Sequence, residues 1–328
     1  MWYRAVGYIV TLTLSLLGGP LAAEAQPSPP VPRIGVLEPF SLTAAAWNRD
    51  AFRHELHTLG YVEGQTILLE ERWAEGQPER LPALAAELVR LPVALIVAGN
   101  VPAARAARQA TDRIPIVLAG GDAVGTGLIA NIARPDGNIT GLATNVAEMT
   151  GKWLELLKEA VPGLAHVAVL VDPAMPISGP ALQEMQGMAP RLGVQLHALR
   201  VRDLGELEEA FAAMNREHAD ALVIIPGSVA YIHKARINAL AARSRLPTMW
   251  EWREAVVDGG LLAYGPDVAS MWRHAAIYVD KLLKGAKPGD LPVERPRKLE
   301  LVINLKTAKT LGFTIPPTVL FQATEVIR

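Results

Sequence analysis

From Arg33 onward the chain alternates short, β-rich apolar runs with helical segments, and few architectures accommodate that order. Two parallel strands can be joined only by a long crossover, usually a helix, so sustained alternation dictates βαβ units whose sheet is covered on both faces. Residues 34–37 read as the first strand, and 47–59, stopped by Gly60, as the first helix. Strands at 66–73, 93–98 and 116–119, with helices at 79–91 and 102–110 between them, complete one open sheet before Gly141. A second cycle follows. It has a helix at 148–160, a strand at 167–171, a helix at 180–192 ending on Gly193, and further alternation to a strand at 248–250. A strand at 261–264, a helix at 268–283 and a strand at 299–303 are too few for a third domain and are expected to cross back into the first two. The fold class expected is therefore α/β: two doubly wound parallel-sheet lobes joined by a hinge. One lobe takes residues 33–141 plus 265–295, the other 142–264 plus 296–328.

Composition narrows what such a molecule does. With 328 residues, half of them hydrophobic, the chain can fill two cores. Its 32 Lys and Arg against 33 Asp and Glu leave a net charge of −1, so it carries no electrostatic footprint for nucleic acid or an anionic membrane surface. Cysteine is absent, which excludes disulfides, thiol catalysis and a lipidated cysteine. Ahead of the lobes stand Arg4, an apolar run over 5–17, the triplet Ala23-Glu24-Ala25 and a Pro-rich spacer over 26–32. These are the parts of a secretory signal peptide. A membrane anchor is the competing reading, but the run falls short of the ~20 residues a span needs and Gly18-Gly19-Pro20 would break the helix. The expectation is cleavage after Ala25 and a monomer in the periplasm.

In open parallel sheets, ligands sit beyond the carboxyl ends of the strands, where helix N-termini offer unpaired N–H groups. The residues just past those ends are Glu38 and Phe40, then Asn100 and Val101, then Gly121 and Asp122. In the second lobe they are Asp172, Ser228 and the run Trp250-Glu251-Trp252, with Asn145 near the passage between lobes. Asn100 and Ser228 have the chemistry of helix caps, and a cap facing a cleft leaves neighbouring N–H groups for a guest carboxylate. Asp122 and Glu251 can accept from an ammonium group; a solvated loop role for either, and a turn role for Asp122 beside Gly121, stand beside that reading. Two Trp flanking one Glu at a strand end place at least one indole against a ligand pocket, the other being free to serve the core.

Catalytic patterns are weak. Gly125-Thr126-Gly127-Leu128-Ile129-Ala130 matches G-x-G-x-x-A, but several residues past its strand rather than at the strand-to-helix turn. No nucleophile elbow, phosphate loop or H-E-x-x-H occurs. His54 and His57 share a helix face without an acidic partner at metal spacing. No catalytic set, metal or cofactor is expected.

Strings along almost the whole chain resemble the solute-binding proteins of ABC importers, specifically the bacterial group related to tryptophan- and tyrosine-import binding proteins. Among them are Leu59-Gly60-Tyr61-Val62-Glu63-Gly64-Gln65, Ala133-Arg134-Pro135-Asp136-Gly137-Asn138-Ile139-Thr140-Gly141 and Leu301-Val302-Ile303-Asn304-Leu305-Lys306-Thr307. The resemblance implies a periplasmic-binding-protein type I fold, a three-stranded hinge near 141–142, 264–265 and 295–296, a small solute held between the lobes, and delivery to an inner-membrane ABC permease without catalysis. The chain departs from the group at Asp172-Pro173-Ala174-Met175-Pro176, where an Asn-Pro-x-Asn-Pro stretch is common, and at Asp122-Ala123-Val124-Gly125, where Asp-Pro often precedes Val-Gly. An amino acid or an aromatic carboxylate is the favoured guest. A receptor's ligand-sensing domain and an exported α/β enzyme are the alternative functions.

Overall fold

The computed structural model describes residues 30–328 apart from Asp136 and Arg297; the expected signal peptide and most of the spacer lie outside them. Strands β1 (Arg33–Glu38), β2 (Leu68–Trp73), β3 (Val93–Ala98), β4 (Ile116–Leu118) and β5 (Ile139–Gly141) form a parallel sheet in the order β2-β1-β3-β4-β5. The reversal of strand order between β1 and β3 opens a crevice at their carboxyl ends, which is where a doubly wound sheet takes a ligand. Helix α1 (Ala46–Thr58) packs on one face, and α2 (Leu81–Arg90) and α3 (Val101–Ala110) on the other.

Helix α4 (Val146–Ala160) opens the second cycle, followed by β6 (His166–Val171), α5 (Ser178–Met188), β7 (Gln195–Arg200), α6 (Leu204–Arg216) and β8 (Ala221–Ile224). Next come α7 (Ser228–Ile232), α8 (Lys234–Arg243), β9 (Thr248–Trp250), α9 (Arg253–Val257) and β10 (Leu262–Pro266). Helix α10 (Val268–Leu283) returns to the first sheet, where Trp272 meets Phe52 edge-on at 5.8 Å between ring centroids. The chain then re-enters the second sheet as β11 (Leu299–Asn304), and ends with α11 (Leu305–Leu311), α12 (Pro317–Gln322) and β12 (Glu325–Ile327). The second sheet runs β12-β11-β10-β9-β8-β6-β7, repeating the first lobe's reversal at β6 and β8. Two doubly wound α/β lobes are thus present, with one refinement. Strands β10 and β11 pair antiparallel, because the chain enters β11 after returning from the other lobe and not through a crossover helix.

Three segments carry the chain between the sheets: 142–145, 267 and 284–298. The first and third are bound together by a Leu142–Glu294 bridge, with Ala143 N–H on the Glu294 carbonyl and Glu294 N–H on the Gly141 carbonyl, both 2.9 Å. Gly141 holds φ +121 where the chain leaves β5, and a Cβ there would overlap the Leu118 carbonyl oxygen, so only glycine fits. Sequence periodicity did not indicate β5, α7 or the closing elements α11, α12 and β12. All are short, three to seven residues, and too brief to show a period.

Candidate binding cleft

A cleft of about 850 Å³, counted to its open mouth, lies where the carboxyl ends of the two sheets face each other. Each lobe contributes through the turns just past its strands. From the first come Glu38 and Phe40 after β1, Gly99, Asn100 and Val101 after β3, and Gly121 and Asp122 after β4. From the second come Met175 to Ile177 after β6, Pro226 and Gly227 after β8, Tyr231 on α7, and Glu251 and Trp252 after β9. Thr144 and Val146, and Met271 and Trp272 on α10, close the back.

The lobes touch across this cleft. Phe40 stacks on Tyr231, with ring centroids 3.9 Å apart and planes inclined by 16°. Asn48 on α1 donates its amide N–H to the Tyr231 hydroxyl at 3.2 Å, and Tyr231 meets the Trp252 ring edge-on at 5.1 Å. A flat aromatic pair with one hydrogen bond is a contact that holds two bodies in one relative orientation.

Two carboxylates share an unusual environment. Glu38 is 2 % exposed and lies against Gly99 where a Cβ would overlap its carboxylate, and that carboxylate makes no hydrogen bond or ion pair among the described residues. Burial first, then the nearby charge of Glu71, pushes its pKa up to about 8. Glu251, 7 % exposed, is likewise pushed up to about 8 by burial, against a small opposing effect of the Trp252 indole N–H. Asp122 is raised as well, chiefly by burial, but its Oδ1 accepts from the Gly125 N–H at 2.7 Å, so it makes its turn while facing the cleft. Among the described residues, no Lys, Arg or His lines the cleft.

Of the residues singled out from sequence, Glu38, Phe40, Asn100, Val101, Gly121, Asp122, Glu251 and Trp252 line the cleft, and four do not. Trp250 is fully buried in the second lobe's core, its indole N–H on the Asn238 side-chain oxygen at 3.1 Å, because alternation along β9 turns it inward. Asp172 is consumed locally. Its carboxylate accepts from the N–H groups of Ala174 at 2.9 Å and Ser228 at 3.0 Å, stapling the turn after β6 to the start of α7. That staple also corrects the role expected of Ser228: Gly227 is the N-cap, and the Ser228 N–H is already taken by Asp172. Asn145 caps α4 through the Glu148 N–H and faces a separate cavity with Arg295 and Tyr264.

Asn100 caps α3 by accepting from Ala103 N–H at 3.0 Å; the Val101 N–H, in the first turn, has no intrahelical acceptor. Sequence reading missed Tyr231, Trp272 and Thr144. Trp272 and Tyr231 sit on helices that read as packing elements, and only the return of α10 to the first lobe and the short turn of α7 bring them to the cleft. The Thr144 hydroxyl is buried at the cleft wall without a hydrogen-bond partner among the described residues.

Two α/β lobes enclosing a shared cleft, with walls drawn from both, define a solute-binding protein of the two-lobed kind. The chain belongs to the ABC transporter substrate binding protein family, whose model matches residues 33–327. A tyrosine-binding protein of Clostridioides difficile is 24% identical over 264 residues, covering 80% of this chain and 76% of the relative. Among solved structures, an ABC domain from Streptococcus pneumonia in complex with L-Trp matches with 26% identity and a TM-score of 0.83, covering 90% of this chain and 99% of that one. A conserved domain protein from Vibrio cholerae matches with 26% identity, TM-score 0.84 and the same coverage.

Proposed function

We propose that this chain is the extracytoplasmic solute-capturing component of an ABC importer. In this reading it closes its lobes about the three crossing segments onto a small, amine-bearing solute with a flat apolar body, and presents the closed form to an inner-membrane permease. The observation that carries the reading is the cleft itself: aromatic walls from both lobes, three carboxylates, and no basic lining residue among those described. An amine finds acceptors there, a flat ring finds Trp252 and Trp272, and a bare carboxylate finds no basic partner. The tyrosine-binding relative and the L-Trp complex support a guest of aromatic amino-acid size. No group placed as a nucleophile beside a base lines the cleft, which favours capture over catalysis.

A thermal-shift screen of the purified protein against amino acids, amines, aromatic acids and sugars is expected to give stabilisation by amine-bearing solutes, with contraction in small-angle scattering at saturation. Stabilisation by sugars or bare acids alone would refute the assignment. The intact mass of protein from a periplasmic extract tests export, with a chain beginning at Gln26 expected.

A further inference from the structure

Within the reading just proposed, we infer that the preferred guest is an organic cation, a protonated or quaternary amine without a carboxylate, and that Glu38 and Glu251 hold its charge from opposite lobes. Three observations carry this. Glu38 ends β1 in the first lobe and Glu251 follows β9 in the second, so the cleft presents one buried carboxylate from each wall. Neither has a cationic partner among the described residues, although a buried charge is ordinarily paired. Of the surrounding rings, Trp252 and Trp272 supply π faces that attract an organic cation, while Phe40 and Tyr231 stack on each other and the Lys234 ammonium stands 5.6 Å over the Tyr231 ring.

Among the described residues, no basic side chain makes an ion pair with Glu38, Glu251 or Asp122. Arg49 and Glu71 share with Glu38 a small pocket behind the cleft; the Arg49 Nε is buried there without a hydrogen-bond partner among the described residues, 3.6 Å from the Asp50 carboxylate and not within ion-pair distance of Glu38. Arg53 holds Glu71 at 3.0 Å. Arg295, on the Asp122 side, is 3.6 Å from Glu148, and Lys234 is 3.6 Å from Asp258. Pairing with an ammonium group ionises Glu38 and Glu251, so a zwitterionic amino acid then sets its own carboxylate beside two ionised glutamates and Asp122. Its receivers there are neutral: the Val101 N–H and the Thr144 hydroxyl. An amine lacking that group makes the same ammonium and ring contacts without the repulsion. The opposing carboxylates also give a cation its differential affinity for the closed form, since only closure brings both walls to it.

The test is calorimetric titration of the full-length protein with matched sets differing in charge: tryptamine, L-tryptophan and indole-3-propionate, and phenethylamine, L-phenylalanine and 3-phenylpropionate. The amine is expected to bind about tenfold or more tighter than its amino acid, and the acid not measurably. Glu38→Gln and Glu251→Gln, checked for folding by circular dichroism, are each expected to weaken the amine about tenfold or more and to narrow its lead. Amino acids binding as tightly as their amines would overturn the inference while leaving the solute-capture reading in place. Amine affinity untouched in both folded variants would overturn the assignment of the two glutamates. Silence from both sets overturns the inference and the amine-bearing reading beneath it.

Discussion

Replacing Glu38 with glutamine should shift the empty protein toward its closed form. The side chain is buried in the closed cleft with no cationic partner, and its carboxyl there titrates at about 8 against an ordinary value of 4.5. Opening the lobes is expected to return it to water. Between those two values the closed form binds more protons than the open one, so closure is favoured by acid, and that advantage is lost as pH rises from 4.5 through 8. At pH 7 the ionised carboxyl in the open form opposes closure by up to about 3 kcal/mol, or roughly two orders of magnitude in the equilibrium, falling to under about 1 kcal/mol at pH 5. Glutamine keeps the shape and removes the charge. Glu251, pushed to the same range by burial, adds a second such contribution, so Glu38→Gln removes one and the double amide variant removes both. Small-angle scattering of ligand-free protein between pH 5 and 8.5 reads this directly. Wild type should expand as pH rises, Glu38→Gln should expand less, and the double variant should keep a contracted radius of gyration with only the weaker pH dependence that Asp122 leaves. A double variant that follows the wild-type pH curve would refute the reasoning.

Tyr231→Ala removes the stack on Phe40 and the hydrogen bond from Asn48, and should weaken solute binding by about 2 kcal/mol, roughly thirtyfold, whereas Tyr231→Phe keeps the stack and should lose about 1 kcal/mol. Titration calorimetry with the best solute of the screen checks both, and wild-type affinity in the alanine variant would contradict the latch. Asp172→Ala leaves the N–H groups of Ala174 and Ser228 without their acceptor and should lower stability by about 2 kcal/mol while leaving cleft chemistry intact. Denaturant unfolding should show the loss, and an unchanged midpoint would return Asp172 to the list of ligand contacts.

How far the sequence speaks for the structure differs between the scaffold and the site, for a physical reason. The strands that build both sheets are buried apolar runs, and helices such as Val268–Leu283 carry periods long enough to read. The rule that ligands collect past parallel strand ends then finds Glu38, Asn100, Asp122 and Glu251 without coordinates, because those positions follow from local order alone. What fails is the direction and occupancy of each side chain. Trp250 and Trp252 look equivalent in sequence, yet one residue separates a core indole held by Asn238 from a ring at the cleft wall. Asp172 and Glu251 are both acids after strands, but Asp172 meets two backbone N–H groups and is spent, while Glu251 has only the Trp252 indole N–H to offset its burial. Tyr231 and Phe40 are 191 positions apart and become partners only because two separately folded sheets bring their carboxyl ends face to face. Unsatisfied charge is therefore the quantity that local pattern cannot supply, since it depends on every neighbour at once. In this cleft it is also the quantity on which solute choice turns: two buried carboxylates without cations disfavour the empty closed form, so a guest that brings the missing positive charge both fills the cleft and closes it.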